Sequence, residues 1–331
     1  MKKFVKLFVL LIAVVLFGCS CGRGNLENDV DKFIQKRFSD KDSTKGTGKE
    51  GNGKEVFAIL KKDLFLQSVS KSLVKVMGNE GNKVTVRLAS DTEDKIKEQI
   101  EAINEAIVCN AQAIIISPAD DIALIDNLKK AQDGGIKIIT MDSSVNTEVA
   151  KSKGLKMPPF LHIDNEKAFY DGVKSLGKTV TGPSEVLMIL GDQNTIPGQK
   201  RKEGGLRALG EMSNLKISAM EDGKWGLKNG YDIAKKYISA NPNIKVIICG
   251  NDQMALGAAQ YTKEAKLMGI TITGFDAVPD AKKAVAEGKL LYTIEQSAEG
   301  YAKNAQETIK KLINGENVQE DVIVGTSIIN K

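Results

Sequence analysis

From Val56 onward, short apolar runs rich in β-branched residues alternate with stretches whose apolar residues recur every three or four positions. The runs at 56–60, 84–88, 113–116 and 137–140 predict strands. Between them, Val69, Leu73 and Val76 mark one helix. Ile96, Ile100, Ile103 and Ile107 share one face of a second, and Ile122, Ile125 and Leu128 mark a third. After Pro158-Pro159 the pattern starts again, with strands predicted at 160–163, 185–190, 216–220, 246–249, 270–273 and 290–295. Helical patterns cover 166–178, 199–212, 277–288 and 298–312, and 322–329 predicts one last strand. Strands this uniformly apolar are buried on both faces, as parallel sheets require. The near-strict alternation of strand and helix predicts an α/β protein of two successive doubly wound parallel-sheet units.

The first residues break this pattern. Lys2, Lys3 and Lys6 precede an apolar run from 7 to 17, which ends in Leu16-Phe17-Gly18-Cys19. That run is too short to span a bilayer core of about 30 Å at about 1.5 Å per residue. A positive start, a short apolar stretch and a small residue before the cut describe a secretory signal. With a cysteine at the cut it resembles a bacterial lipoprotein signal, which implies a signal peptide over 1–18 and lipidation of Cys19. Residues 19–53 are rich in Gly, Lys, Asp, Ser and Asn, and are expected to form a flexible tether.

Composition narrows the chemistry. The chain has 331 residues, 42% of them hydrophobic, enough for two real cores. Its net charge of +5 comes from interspersed Lys, Asp and Glu, with no basic stripe carrying aromatics, so nucleic acid is not implied as a partner. Cys21 sits beside Cys19, while Cys109 and Cys249 are expected to be buried free thiols. The one histidine, His162, lies in an apolar strand and is expected to be packed and hydrogen-bonded. There is no G-x-S-x-G elbow, no Walker A motif and no His or Cys cluster at ligand spacing. No enzyme, metal or cofactor is expected.

Polar and aromatic residues do recur just past the strand ends. Asp63 and Phe65 follow the first strand, Asp142 the fourth, and Arg201 and Lys202 lie on the helix after 185–190. Trp225 follows 216–220, and Asn251, Asp276 and Gln296 complete the series. In parallel sheets such positions line the ligand crevice. Each also has a plainer reading. Asp142 and Asp276 could cap helices, Lys202 could be a solvated charge, and Phe65 could be core. Asp252 would cap its helix while Asn251 faces the crevice. Together, carboxylates, amides, one or two cations and two aromatic faces suit a neutral polyhydroxylated ligand.

With N-D-Q-M-A-L-G-A (251–258) and G-F-D-A-V-P-D (274–280), the chain resembles the bacterial ribose/galactose-type periplasmic sugar-binding proteins of ABC importers. Supporting matches are I-I-I-S-P-A-D (114–120), I-K-I-I-T-M-D (136–142) and T-I-E-Q (293–296). The resemblance implies a type I periplasmic binding protein fold, with two lobes joined by a three-strand hinge. The first lobe would comprise 54–162 plus 297–321, and the second 163–296 plus 322–331. It implies sugar contacts from Asp63, Asp142, Asn251, Asp276 and Gln296, and ring stacking by Phe65 and Trp225. Asp63-Leu64-Phe65 and Trp225 look more like the glucose/galactose branch. The family's binding arginine falls on Lys202, with Arg201 one residue off, and that branch's calcium loop has no match in 177–185. A monomeric, lipid-anchored receptor outside the cytoplasm is implied, delivering a hexose such as galactose or glucose to a membrane permease. The same fold could instead take ribose, xylose, a nucleoside or a furanose signal, or serve as a sensor subunit.

Overall fold

The computed structural model describes residues 55–331. The expected signal peptide, Cys19 and the tether lie outside the described residues. From β1 (Glu55–Lys61) to β5 (Phe160–His162) the chain alternates strand and helix. The intervening elements are α1 (Leu64–Asn79), β2 (Lys83–Ala89), α2 (Lys95–Val108), β3 (Ala113–Ile116), α3 (Ile125–Asp133), β4 (Lys137–Met141) and α4 (Thr147–Ser152). The strands pair in parallel in the order β2-β1-β3-β4-β5, so the sheet reverses direction at β1. Val56, Ala58 and Leu60 enter one core layer and Phe57 and Ile59 the opposite one, because successive strand side chains point to opposite faces.

The second lobe repeats this build. It runs through α5 (Asn165–Ser175), β6 (Ser184–Leu190), α6 (Ile196–Gly210), β7 (Leu215–Asp222), α7 (Leu227–Ala240), β8 (Ile244–Cys249), α8 (Asp252–Glu264), β9 (Thr271–Asp276), α9 (Pro279–Ala286) and β10 (Tyr292–Glu295). Its strands lie in the order β7-β6-β8-β9-β10. The helix expected from 199 starts at Ile196, because Thr195 caps it by accepting from the Gly198 amide and Pro197 suits the first turn.

Three segments pass between the sheets. The first follows β5 and leads into α5. The second follows β10 and leads into α10 (Ala298–Asn314), which returns to pack on α1 with Tyr301 edge-on to Phe65 at 5.6 Å. The third contains the one strand expected at 322–329, which the structure divides into two. β11 (Asp321–Ile323) runs parallel to β5, and β12 (Ser327–Asn330) runs antiparallel to β10. Gly325 lies in the break. His162, on the first crossing, stacks on Phe160 and reaches Asp321 Oδ1 at 3.2 Å, tying β5 to β11.

One hydrophobic layer holds residues of both lobes, from Leu60 and Phe65 through Tyr301 to Phe169 and Phe275, while each sheet's other face has its own cluster. Cys249 is buried at the end of β8. Cys109, expected inside, is exposed because it caps the C-terminal end of α2, where the chain turns. Among the described residues, no helix is long and apolar enough to cross a membrane.

Helices α7 and α8 touch backbone to backbone: a Cβ on Gly257 would overlap the Leu227 carbonyl, and one on Gly230 the Met254 backbone. Gly257→Ala should therefore force the helices apart and cost about 1–3 kcal/mol. Gly78→Ala, where a Cβ meets nothing, should be neutral or stabilising by up to about 1 kcal/mol. Paired thermal or urea melts of the two variants check this contrast.

Candidate functional site

The crevice is lined by residues just past the C-terminal ends of strands in both lobes. In the first lobe, Asp63 leaves β1 and caps α1, its Oδ1 accepting from the Leu66 amide at 2.7 Å. Asp142 leaves β4 with φ 61°, a left-handed conformation that costs a non-glycine residue energy. Lys61 Nζ donates to Asp142 Oδ2 and to Ser143 Oγ, both at 2.9 Å, and the Ser117 hydroxyl approaches the same Oδ2 at 3.4 Å.

In the second lobe, Arg201 is 4% exposed and held through its Nε and Nη1. Its Nε donates to Asn165 Oδ1 and its Nη1 to the Gly250 carbonyl, both at 2.8 Å, and Nη1 lies 3.5 Å from Asp276 Oδ1. The guanidinium carbon sits 3.7 Å over the Phe275 ring and 5.2 Å from the centre of Trp225. Gln296 Nε2 donates to Asp276 Oδ1 at 2.6 Å, while its own buried Oε1 has no partner among the described residues. The Trp225 ring lies against Gly191, where any side chain would overlap it. Asp276, Ala277, Lys224 and Trp225 all have positive φ, so with Asp142 most of the strained non-glycine backbone among the described residues sits around this crevice.

One oxygen of each crevice carboxylate is engaged within the protein. Among the described residues no hydrogen bond reaches Asp63 Oδ2, Asp142 Oδ1 or Asp276 Oδ2. Burial, reinforced by the Asp142 charge, lifts the Asp63 carboxyl to about 7. Burial also pushes Asp276 up against the pull of Arg201, with the Asp252 charge adding to it. Asp142 meets the same burial, but the Lys61 ammonium and then Arg201 outweigh it and hold the group low. Asp63 and Asp142 of the first lobe thus feel Asp276 and Arg201 of the second. Two cations, Lys61 and Arg201, stand among three crevice carboxylates with Asp252 behind, a balance that disfavours anions and offers hydroxyl acceptors and donors. Among the described residues, no group of His, Cys, Asp and Glu is arranged to hold a metal ion.

Of the expected contacts, Asp63, Asp142, Arg201, Trp225, Asn251, Asp276 and Gln296 come together here. Lys202 does not: it is half-buried on the neighbouring phase of α6 and makes no hydrogen bond or ion pair with a described residue. Phe65 is 6% exposed and belongs to the core, edge-on to Tyr301. The capping roles differ from expectation. Asn251, not Asp252, caps α8, accepting from the Met254 amide at 3.0 Å while its Nδ2 donates to the Trp225 carbonyl at 3.2 Å. Asp276 does not cap α9, whose N-cap position is Val278 with no side-chain cap, and Asn146 rather than Asp142 caps α4. Lys61, Ser117, Asn165 and Phe275 went unnoticed in the sequence. All but Phe275 are polar residues at or just beyond strand ends, the signal that found the others.

Residues 56–317 match the family described as the periplasmic binding protein domain. The chain belongs to that family. Its members are solute-binding proteins that work outside the cytoplasm, not enzymes. The D-ribose/D-allose-binding protein of Pseudomonas aeruginosa is 30% identical to this periplasmic binding protein over 239 residues, 71% of this chain and 74% of the relative. The D-allose-binding periplasmic protein of Escherichia coli is 28% identical over 211 residues, 63% of this chain and 68% of the relative. A solved ABC transporter periplasmic solute-binding protein from Actinobacillus succinogenes, with bound D-allose, matches with a TM-score of 0.78 at 26% identity, covering 84% of this chain and 97% of that one. This periplasmic binding protein is therefore of the ribose/allose type of ABC sugar-binding proteins. The aromatic and Asp spacing had favoured the glucose/galactose branch.

Asp63 titrates near 7 in the folded protein against an ordinary 3.8. Between about pH 4 and 7 the folded state therefore holds protons that the unfolded chain has released, so stability falls as pH rises through that window. Asp276 and Asp252 shift in the same direction, while Asp142, held low, acts only at more acid pH. The ligand-free protein should melt at a higher temperature at about pH 5 than at about pH 7.5. Asp63→Asn should flatten that slope, as melting curves across the range would show.

Proposed function

We propose that this periplasmic binding protein captures a monosaccharide between its lobes and delivers it to an ABC permease. The observation that carries this reading is the convergence of three half-used carboxylates, a fixed guanidinium and an ammonium from both lobes on one crevice. The unused oxygens of Asp63, Asp142 and Asp276 accept hydroxyl protons, and Lys61 and Arg201 donate to ring and hydroxyl oxygens. The orphaned Gln296 Oε1 is a further acceptor. Charge-assisted bonds of this kind contribute roughly 1.5–3 kcal/mol each when water is excluded. Trp225, half-buried at the crevice, offers ring surface to the apolar C–H face of a sugar.

D-Allose and D-ribose are the first candidates, on the strength of the similar proteins named for them, and glucose and galactose follow from the Asp63 and Trp225 pattern. A lipid on Cys19 and the tether over 19–53 would hold the protein at the membrane, within reach of the permease. A monomer suffices, because both jaws of the site come from one chain.

Trp225 is the only tryptophan, so its fluorescence reports on the crevice directly. Titration of the purified protein with D-allose, D-ribose, D-glucose and D-galactose should shift its emission and raise the melting temperature for at least one sugar. Silence with all four would overturn the monosaccharide reading. Arg201→Lys keeps the charge but cannot reproduce the forked contacts to Asn165, Gly250 and Asp276. It should weaken binding by about 1.5–3 kcal/mol, whereas Lys202→Ala should leave affinity unchanged.

A further inference from the structure

We infer that Asp252 is a positioning residue for this site: buried behind the crevice, it holds the strained corner at 276–278 that aims Asp276. The inference rests on the proposed role of Asp276 in binding sugar. Asp252 is the first residue of α8, and its side chain is wholly buried. Its Oδ2 accepts from the Val278 amide at 2.9 Å and its Oδ1 from the Thr293 hydroxyl at 2.6 Å. Thr293 Oγ1 in turn accepts from the Ala277 amide at 3.1 Å. The backbone amides of 277 and 278 are thus tied to one carboxylate, one directly and one through a hydroxyl.

The corner needs such a tie. Asp276 has φ 115° and Ala277 φ 54°, conformations that residues with side chains rarely adopt and that persist only where the surroundings enforce them. The following helix does not enforce them, because Val278 has no side-chain cap to offer and Pro279 has no N–H. Gly274 makes room for the tie, since a Cβ there would overlap Asp252 Oδ1. Because its oxygens are spent on the protein, Asp252 acts on the ligand only through the direction in which Asp276 points.

Asp252→Asn removes one of the two acceptor oxygens at constant size. Thr293→Val removes the hydroxyl relay, and Thr293→Ser keeps it. Sugar affinity, measured with whichever of D-allose and D-ribose binds the wild-type protein, should fall roughly tenfold or more in Asp252→Asn and Thr293→Val. Thr293→Ser should retain it, and all three should still melt cooperatively. In an Asp276→Asn background, adding Asp252→Asn should cost little more, because both changes remove the same contact. Fully additive losses, or unchanged affinity in either disruptive single variant, would overturn the inference. A readout without sugar keeps it separate from the binding proposal. In crystal structures or backbone NMR of Asp252→Asn and Thr293→Val, Asp276 and Ala277 should relax to negative φ. If the corner keeps its shape in both, the inference fails whether or not a sugar binds.

Discussion

A guanidinium that is almost fully buried needs partners for its charge and its donors, and the second lobe is built around supplying them to Arg201. The Gly250 carbonyl and Asn165 take two of its donors, Asp276 stands as counter-charge, and Phe275 covers its flat face. These partners come from the end of β8, the start of α5 and the end of β9, so the cation fixes three chain segments relative to α6. Asp276 stays low enough in free energy to remain in its strained position partly because this charge lies beside it. Removing the cation would leave a buried carboxylate facing Asp252 with little beyond the Gln296 amide to offset the repulsion.

The arrangement also shows why the crevice sits where it does. In both sheets the strand order reverses beside the first strand of the lobe, β1 in one and β6 in the other, and at such a reversal the connections leave to opposite sides and open a crevice. Asp63 leaves β1 and Gly191 leaves β6. Gly191 carries no side chain because the Trp225 ring occupies that space. Strained residues gather on the same rim, which is the expected price of directing side chains toward a ligand rather than into the fold.

The strands and helices were legible because burial of both sheet faces writes itself as unbroken apolar runs, and burial of one helix face as a period near 3.6. The final segment was not, because two short strands in different sheets, separated at Gly325, read as one apolar run. The choice between Arg201 and Lys202 was recoverable. Gly204, Gly205 and Ala208 are buried on α6, and steps of three, four and seven back to 201 put Arg201, not Lys202, on that face. Matching by family position hid this phase. The capping exchange between Asn251 and Asp252 was not recoverable from residue types, since both are good caps. What decides it is Thr293, distant in sequence, which claims the Asp252 carboxylate.

The same carboxylates that suit a polyol also set the condition for holding the crevice shut. Asp63 and Asp142 stand on one lobe and Asp276 on the other, and at close quarters each raises the cost of ionising its neighbours. Brought together without water at neutral pH, they must either take up protons or receive hydrogen bonds from something between them. Among these carboxylates Lys61 bonds only to Asp142, and Arg201 offsets Asp276 only in part, from 3.5 Å. On the proposed reading, a sugar would supply hydroxyl donors to the three unused oxygens at once, which would lower the cost of ionisation on both lobes together. An apolar molecule of the same size would exclude the water without supplying those donors. Recognition and lobe closure would then draw on one set of groups, and discrimination against poor ligands would be built into the closing step itself.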